Sequence, residues 1–129
     1  MGIGVLVVEE NEHEATLLTS AVLVHDAMIN VRTVPSVAAA LDYLREAAPP
    51  QAPRLVILGA RALGAPEFLA RLNGLRPRHA IVAIVPDLSA VARERALAAG
   101  VQAVHPRPST WEGYRDLVHE IVVRWQSSR

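Results

Sequence analysis

The 129-residue chain contains no cysteine and no lysine. Without cysteine there is no disulfide and no thiolate to bind a metal or attack a substrate. Without lysine, Schiff-base chemistry and a lysine general base are excluded, since all thirteen basic residues are arginine. Aromatic residues make up only 4% of the chain, so its core must be filled by Ala, Val, Leu and Ile. The formal net charge is zero and no basic run is interleaved with aromatics, which leaves nucleic-acid binding without electrostatic support. No apolar run approaches the ~20 residues of a membrane span. The opening Met1-Gly2-Ile3-Gly4 lacks the charged leader and cleavage site of a secretory signal. The expectation is a cytoplasmic protein with no membrane partner, one domain over residues 1–129. GxGxxG, P-loop and Ser/His/Asp patterns are also absent.

What the chain does have is alternation. Apolar β-type runs at Ile3 to Val8, Ile29 to Val34, Arg54 to Leu58, Ala80 to Val85 and Val101 to Val104 predict five strands. Between them, helical spacing places Ala15, Leu18, Val22, Leu17 and Ala21 on one helix, and Val37, Ala40, Leu41 and Leu44 on a second. Pro66 opens a third helix carrying Phe68, Leu69, Leu72 and Leu75, closed by Arg76-Pro77. Ser89 to Ala99 is a fourth, with Val91, Ala92, Ala96 and Ala99 inward and Gly100 as its cap. The fifth runs from the capping-box spacing of Ser109 to Glu112 as far as Gln126, with Tyr114, Leu117, Val118, Ile121, Val122 and Trp125 on one side. Ala47 to Pro53 and Ala60 to Ala65 read as loops. Strands alternating with helices predict an α/β fold, a doubly wound five-stranded parallel sheet.

The stretch Pro53-Arg54-Leu55-Val56-Ile57-Leu58-Gly59 is the natural centre of such a sheet. Leu55 to Leu58 is an unbroken apolar run bounded by proline and glycine, as expected of a strand buried on both faces. Open parallel sheets carry out their chemistry beyond the carboxyl ends of their central strands. Gly59 stands at that end and has no side chain.

Taken together, Val5-Leu6-Val7-Val8-Glu9-Glu10-Asn11, the Pro53–Gly59 strand and Ala96-Leu97-Ala98-Ala99-Gly100-Val101 followed by Arg107-Pro108 resemble the receiver domain of two-component response regulators over the whole chain. Ala40-Leu41-Asp42-Tyr43-Leu44-Arg45 and Val122-Val123-Arg124-Trp125 narrow the likeness to stand-alone receivers that work with bacterial phytochromes. The resemblance implies the flavodoxin-like (βα)5 fold with strand order 2-1-3-4-5. It also implies phosphoryl transfer from a histidine kinase to an aspartate ending the third strand, with magnesium held by an acidic pair. Carried onto this sequence, the acidic pair is Glu9 and Glu10, and Gly59 stands at the phosphoacceptor position. Val85 stands at the hydroxyl position and Val104 at the aromatic reporter position. Arg107 replaces the lysine, and Pro108 keeps a proline that the family often holds cis. No Asp or Glu between Glu46 and Glu67 offers a substitute acceptor. The resemblance therefore implies a degenerate pseudo-receiver: no enzyme, no magnesium cofactor, a protein-interaction module with a sensor kinase or other signalling protein as partner, and a homodimer.

Alternatives stay open beside that reading. Glu9 and Glu10 are a weak candidate for a divalent cation, or ordinary acids at a helix start paired with Arg107 or Arg61. Asp87 is a displaced acceptor or a helix-capping residue. His13 is a lone histidine, and His25, His79, His105 and His119 have no ligand spacing between them. Trp111, Tyr114 and Trp125 are core or interface residues. Two other functions fit: a sensor of a small anion, with Arg61 and Arg107 above Gly59, or the receiver half of a DNA-binding regulator whose output domain lies outside the chain.

Overall fold

Strand register explains why the aliphatic runs sort into two layers. In the computed structural model, which describes residues 4–46, 53–74 and 80–126, five parallel strands lie in the order β2-β1-β3-β4-β5. They are β1 (Gly4–Val8), β2 (Asn30–Val34), β3 (Leu55–Leu58), β4 (Ala80–Val85) and β5 (Ala103–Pro106). The helices are α1 (Glu12–His25), α2 (Val37–Glu46), α3 (Pro66–Gly74), α4 (Ala90–Ala98) and α5 (Trp111–Gln126). Because side chains alternate along a strand, Val5 and Val7, Leu55 and Ile57, and Val82 and Ile84 face one layer with Leu18, Val22, Val118 and Ile121 of α1 and α5. Leu6 and Val8, Val56 and Leu58, and Ile81, Ala83 and Val85 face the other, with residues of α2, α3 and α4. The expected α/β fold and strand order are both present. The central β1, β3 and β4 are almost wholly buried, whereas β2, at the edge, is not.

Local chemistry fixes the helix ends. The Asn11 side chain accepts the Glu14 amide at 3.0 Å to start α1, and Ser89 accepts the Ala92 amide at 3.1 Å to start α4. Gly100 follows α4 at φ +102°, the left-handed region where a side chain is disfavoured. A Cβ there would also lie 2.8 Å from Cγ of Asn73. That asparagine ties α3 to α4 by donating to the carbonyls of Leu69 and Ala99.

Several expectations need correction. The segment after Gly59 is a 3-10 helix, Ala60–Gly64, rather than a loop, and it tucks Ala62 against the core. β5 begins at Ala103 rather than Val101, because Val101 N–H closes the end of α4 on the Ala96 carbonyl. Proline is tolerated at position 106 because β5 is an edge strand with one pairing partner. The cap of α5 is Thr110, whose Oγ1 accepts the Gly113 amide at 3.0 Å, rather than Ser109. Val91 is 56% exposed, because α4 buries only Ala96. Phe68 is also exposed, with the Arg71 guanidinium over its ring. The strand start at Ile3, the loop residues 47–52, the helix closure at Leu75, Arg76 and Pro77, and His79 lie outside the described residues. Among the described residues no helix is long and apolar enough to cross a membrane.

Candidate functional site

Register also builds the site. Val8 pairs with Leu58, so the next residues along, Glu9 and Gly59, emerge side by side at the carboxyl edge of the sheet. The Gly59 amide continues the ladder to the Val8 carbonyl at 2.9 Å. Both positions share the alternation of Val5/Val7 and Leu55/Ile57, and so face the α1/α5 side. The Glu9 side chain lies across the glycine: a Cβ built on Gly59 would stand 2.9 Å from Glu9 Cδ and closer still to Oε1. The other carboxylate oxygen, Oε2, accepts the Asn11 amide at 2.9 Å. An acidic group does occupy the mouth of the central strand, and it comes from the residue that follows β1. The sequence alone gives no sign of this, since nothing local tells which way Glu9 turns.

The crevice above this point has a volume of about 760 Å³ and is bordered by Glu9, Glu10, Glu14, His13, Arg61, Arg107 and Tyr114 among others. Two of its carboxylates face arginines. Arg61 donates to Glu10 Oε2 at 3.3 Å, and both side chains are largely exposed. Arg107 sits 4.0 Å from Glu14 Oε1. Of the two partners expected for the acidic pair, Arg61 rather than Arg107 reaches Glu10. Arg107 is drawn instead to α1, where Glu14 reaches under it.

Tyr114 completes that link. Its hydroxyl donates to Glu14 Oε2 at 2.5 Å, and its ring is buried at 4% exposure in the α1/α5 layer. Burial, the hydrogen bond to Glu14 and that residue's charge raise the Tyr114 pKa well above the ordinary phenol value, with Arg107 opposing. Of the two readings left open for Tyr114, core and interface, its burial favours the core. Trp125 is half-buried against the same layer, while Trp111 is exposed. Sequence reasoning missed the role of Glu14, although its position three residues after the capping Asn11 turns it back toward the strand ends.

Of the remaining positions, Pro108 borders the crevice and the others do not. Val85 and Val104 are both 5% exposed and belong to the opposite layer, whose buried side chains are all aliphatic, so neither position places a hydroxyl or an aromatic ring at the site. Asp87 does not line the crevice, and the capping role after β4 belongs to Ser89. The Pro108 ring packs where a Cβ on Gly113 would come within 2.8 Å. His105, on β5, is shifted below the usual imidazole range, chiefly by burial, against the pull of Glu120 and with help from Arg124 and Arg93.

Magnesium does not fit the donor set. It wants several hard oxygen ligands in octahedral array. Glu9 accepts the Asn11 amide and lies over Gly59, and Glu10 pairs with Arg61, while Gly59 supplies no carboxylate. Among the described residues no three His, Cys, Asp or Glu side chains come together as a metal cage. Two histidines without any ligand spacing in the sequence do meet, however. His25 at the end of α1 and His119 on α5 place their Nδ1 atoms 2.8 Å apart.

No protein-family profile matches the sequence. No curated protein sequence matches it either. Solved structures do match. The phosphorylated cyanobacterial phytochrome response regulator RcpA superposes with a TM-score of 0.83 at 18% identity, over 100% of this chain and 97% of that one. The response regulator RPA3017, in red light signalling of R. palustris, gives 0.83 at 18% identity, over 98% and 96%. A response regulator from Hahella chejuensis gives 0.82 at 22% identity, over 98% and 97%. The chain thus has the fold of response-regulator receiver domains along its full length, phytochrome-associated ones included.

Proposed function

We propose that the chain is a pseudo-receiver of two-component signalling, a receiver-type domain that binds protein partners without being phosphorylated. One observation carries this reading: Glu9 lies over Gly59, in the space an acceptor side chain would need. Aspartyl phosphorylation requires a carboxylate nucleophile beside bound magnesium, approached in line by the phosphoryl donor. Here the acceptor position is glycine, and the neighbouring carboxylate is held by a backbone amide. The similar RcpA structure is of a phosphorylated protein; this chain offers no aspartate at the end of β3.

The rest of the crevice supports a fixed rather than a switching role. A receiver that switches must make new contacts when a phosphoryl group arrives. The cation at position 107 is already engaged with Glu14, and Glu14 with Tyr114, so α1, α5 and the β5–α5 loop are joined without any ligand. The alternative of a small-anion sensor is less well supported, because three carboxylates border the crevice and both arginines are paired. The partner in this reading is a sensor kinase or another signalling protein, or a second copy of the chain. Val91 and Leu97 on α4 and Trp111 at the start of α5 are exposed apolar side chains available to it.

The test is incubation of the protein with acetyl phosphate, and separately with beryllofluoride, in magnesium, read by intact-mass spectrometry and amide NMR. No phosphoryl adduct and no shift of β3–α3 resonances are expected. An adduct on a carboxylate, Glu9 foremost, would overturn the reading and make the chain a working phosphate relay. Partner capture from the source organism should be equal with and without phosphodonor.

A further inference from the structure

Away from the crevice, α1 and α5 bring together His25 and His119, 94 residues apart in sequence. Their Nδ1 atoms are 2.8 Å apart and their ring centroids 4.7 Å apart, with the planes inclined at 67°. A direct hydrogen bond between two imidazole nitrogens requires one ring to carry its proton on Nδ1 and the other to present a lone pair there. Imidazole nitrogens are also the donors that borderline divalent metals favour, and these two lie within one ion's reach of each other. We infer that His25 and His119 form a bidentate site for a borderline transition-metal dication of the zinc, nickel or copper class, with the cation replacing the shared proton.

Three features of the structure carry this. The donors come from two helices packed against each other through the Leu18, Val22, Val118 and Ile121 layer, so their spacing is set by rigid elements rather than by a loop. His25 is the last residue of α1, where the free carbonyl ends give the helix its negative pole and favour a cation. The nitrogens need to part only slightly from 2.8 Å to bind one ion at the ~2.0–2.1 Å typical of metal–imidazole bonds. Half-exposed His25 and exposed His119 leave the remaining coordination positions to water. Such a site is exchangeable and selects against magnesium, which prefers oxygen donors. It is independent of the acids of the crevice.

The experiment uses the full chain without a polyhistidine tag, titrated with zinc chloride and with nickel chloride by isothermal calorimetry at neutral pH. One ion per chain is expected, undisturbed by excess magnesium. His25→Gln and His119→Gln should each weaken binding by at least ~10-fold, since loss of even an outer-shell partner of a metal ligand costs that much. His13→Gln and Glu9→Gln should leave it unchanged. Zinc should raise the thermal midpoint of the wild type and of His13→Gln but not of His119→Gln, with circular dichroism confirming that each variant folds. Absence of saturable binding, or binding untouched by both histidine substitutions, would overturn the inference. So would half an ion per chain accompanied by a zinc-dependent doubling of mass, which would place the metal between two copies.

Discussion

The mouth of β1 and β3 and the mouth of β4 and β5 differ in kind. At the first, charge dominates: Glu9, Glu10 and Arg61 cluster there, and Glu9 covers Gly59. At the second, the strand-end side chains Val85 and Val104 are packed into the aliphatic layer beneath α4 at 5% exposure. The first is a surface electrostatic arrangement, cheap to rearrange because water competes for every charge. The second is part of a close-packed interior, where a change of one methylene is felt. Placing a carboxylate at position 59 should therefore be tolerated far better than placing a ring at position 104.

The largest effect is expected where the core is asked to take a ring. Val104→Tyr should lower stability by about 2 kcal/mol through overpacking, read as a drop in the urea midpoint with an unchanged slope. An unaltered midpoint would mean that the layer under α4 has room for a switch residue, and the contrast would fail.

Next comes the link between the two mouths. Tyr114→Phe removes a donor to a carboxylate and should cost about 1.5 kcal/mol. Its pH signature is specific. The folded protein keeps the Tyr114 proton to higher pH than the unfolded chain does, so the contribution is complete below the ordinary phenol value of ~10 and fades as pH rises through it. The Phe variant should lose that part of the alkaline decline. His105 acts at the other end. Its lowered pKa means the unfolded chain takes up a proton first, so stability falls as pH drops through ~6.5. His105→Gln should flatten that acid limb, measured by denaturant melts across pH.

Smaller again is the coupling at the acceptor position. Gly59→Asp forces Glu9 aside, and Glu9→Ala makes room for it. A double-mutant cycle should give a coupling of about 1 kcal/mol, with the double variant more stable than the two single losses predict. Additive losses would mean that Glu9 does not occupy the space over Gly59. The smallest effect is Arg61→Ala, whose partner and itself are 57% and 81% exposed; it should move stability by less than ~0.5 kcal/mol.

Much of the fold was legible because burial on both faces leaves an unmistakable trace. Ala80–Val85 was readable to the residue, since a two-faced strand is an apolar run bounded by turn signals. α4 was readable as a helix but not in its facing, because alanines carry little periodic contrast and Val91 turned outward. The candidate site was legible by position and not by partner. Gly59, Glu9 and Arg107 could each be placed at the strand ends, yet the pairing of Arg107 with Glu14 rather than Glu10 depends on how close α1 and the β5–α5 loop approach. His25 and His119 illustrate the limit: only the packing of α1 on α5 makes them neighbours.

By itself the sequence determined the alternation of strands and helices, the aliphatic core, and the absence of a carboxyl directly after β3, because each is a property of residue type and local period. The tertiary structure alone decided that Glu9 covers that gap, that Glu14 binds Arg107 and Tyr114, and that two distant histidines touch. Those are contacts between elements far apart in the chain, and their distances follow from sheet register and helix packing, which no local pattern encodes.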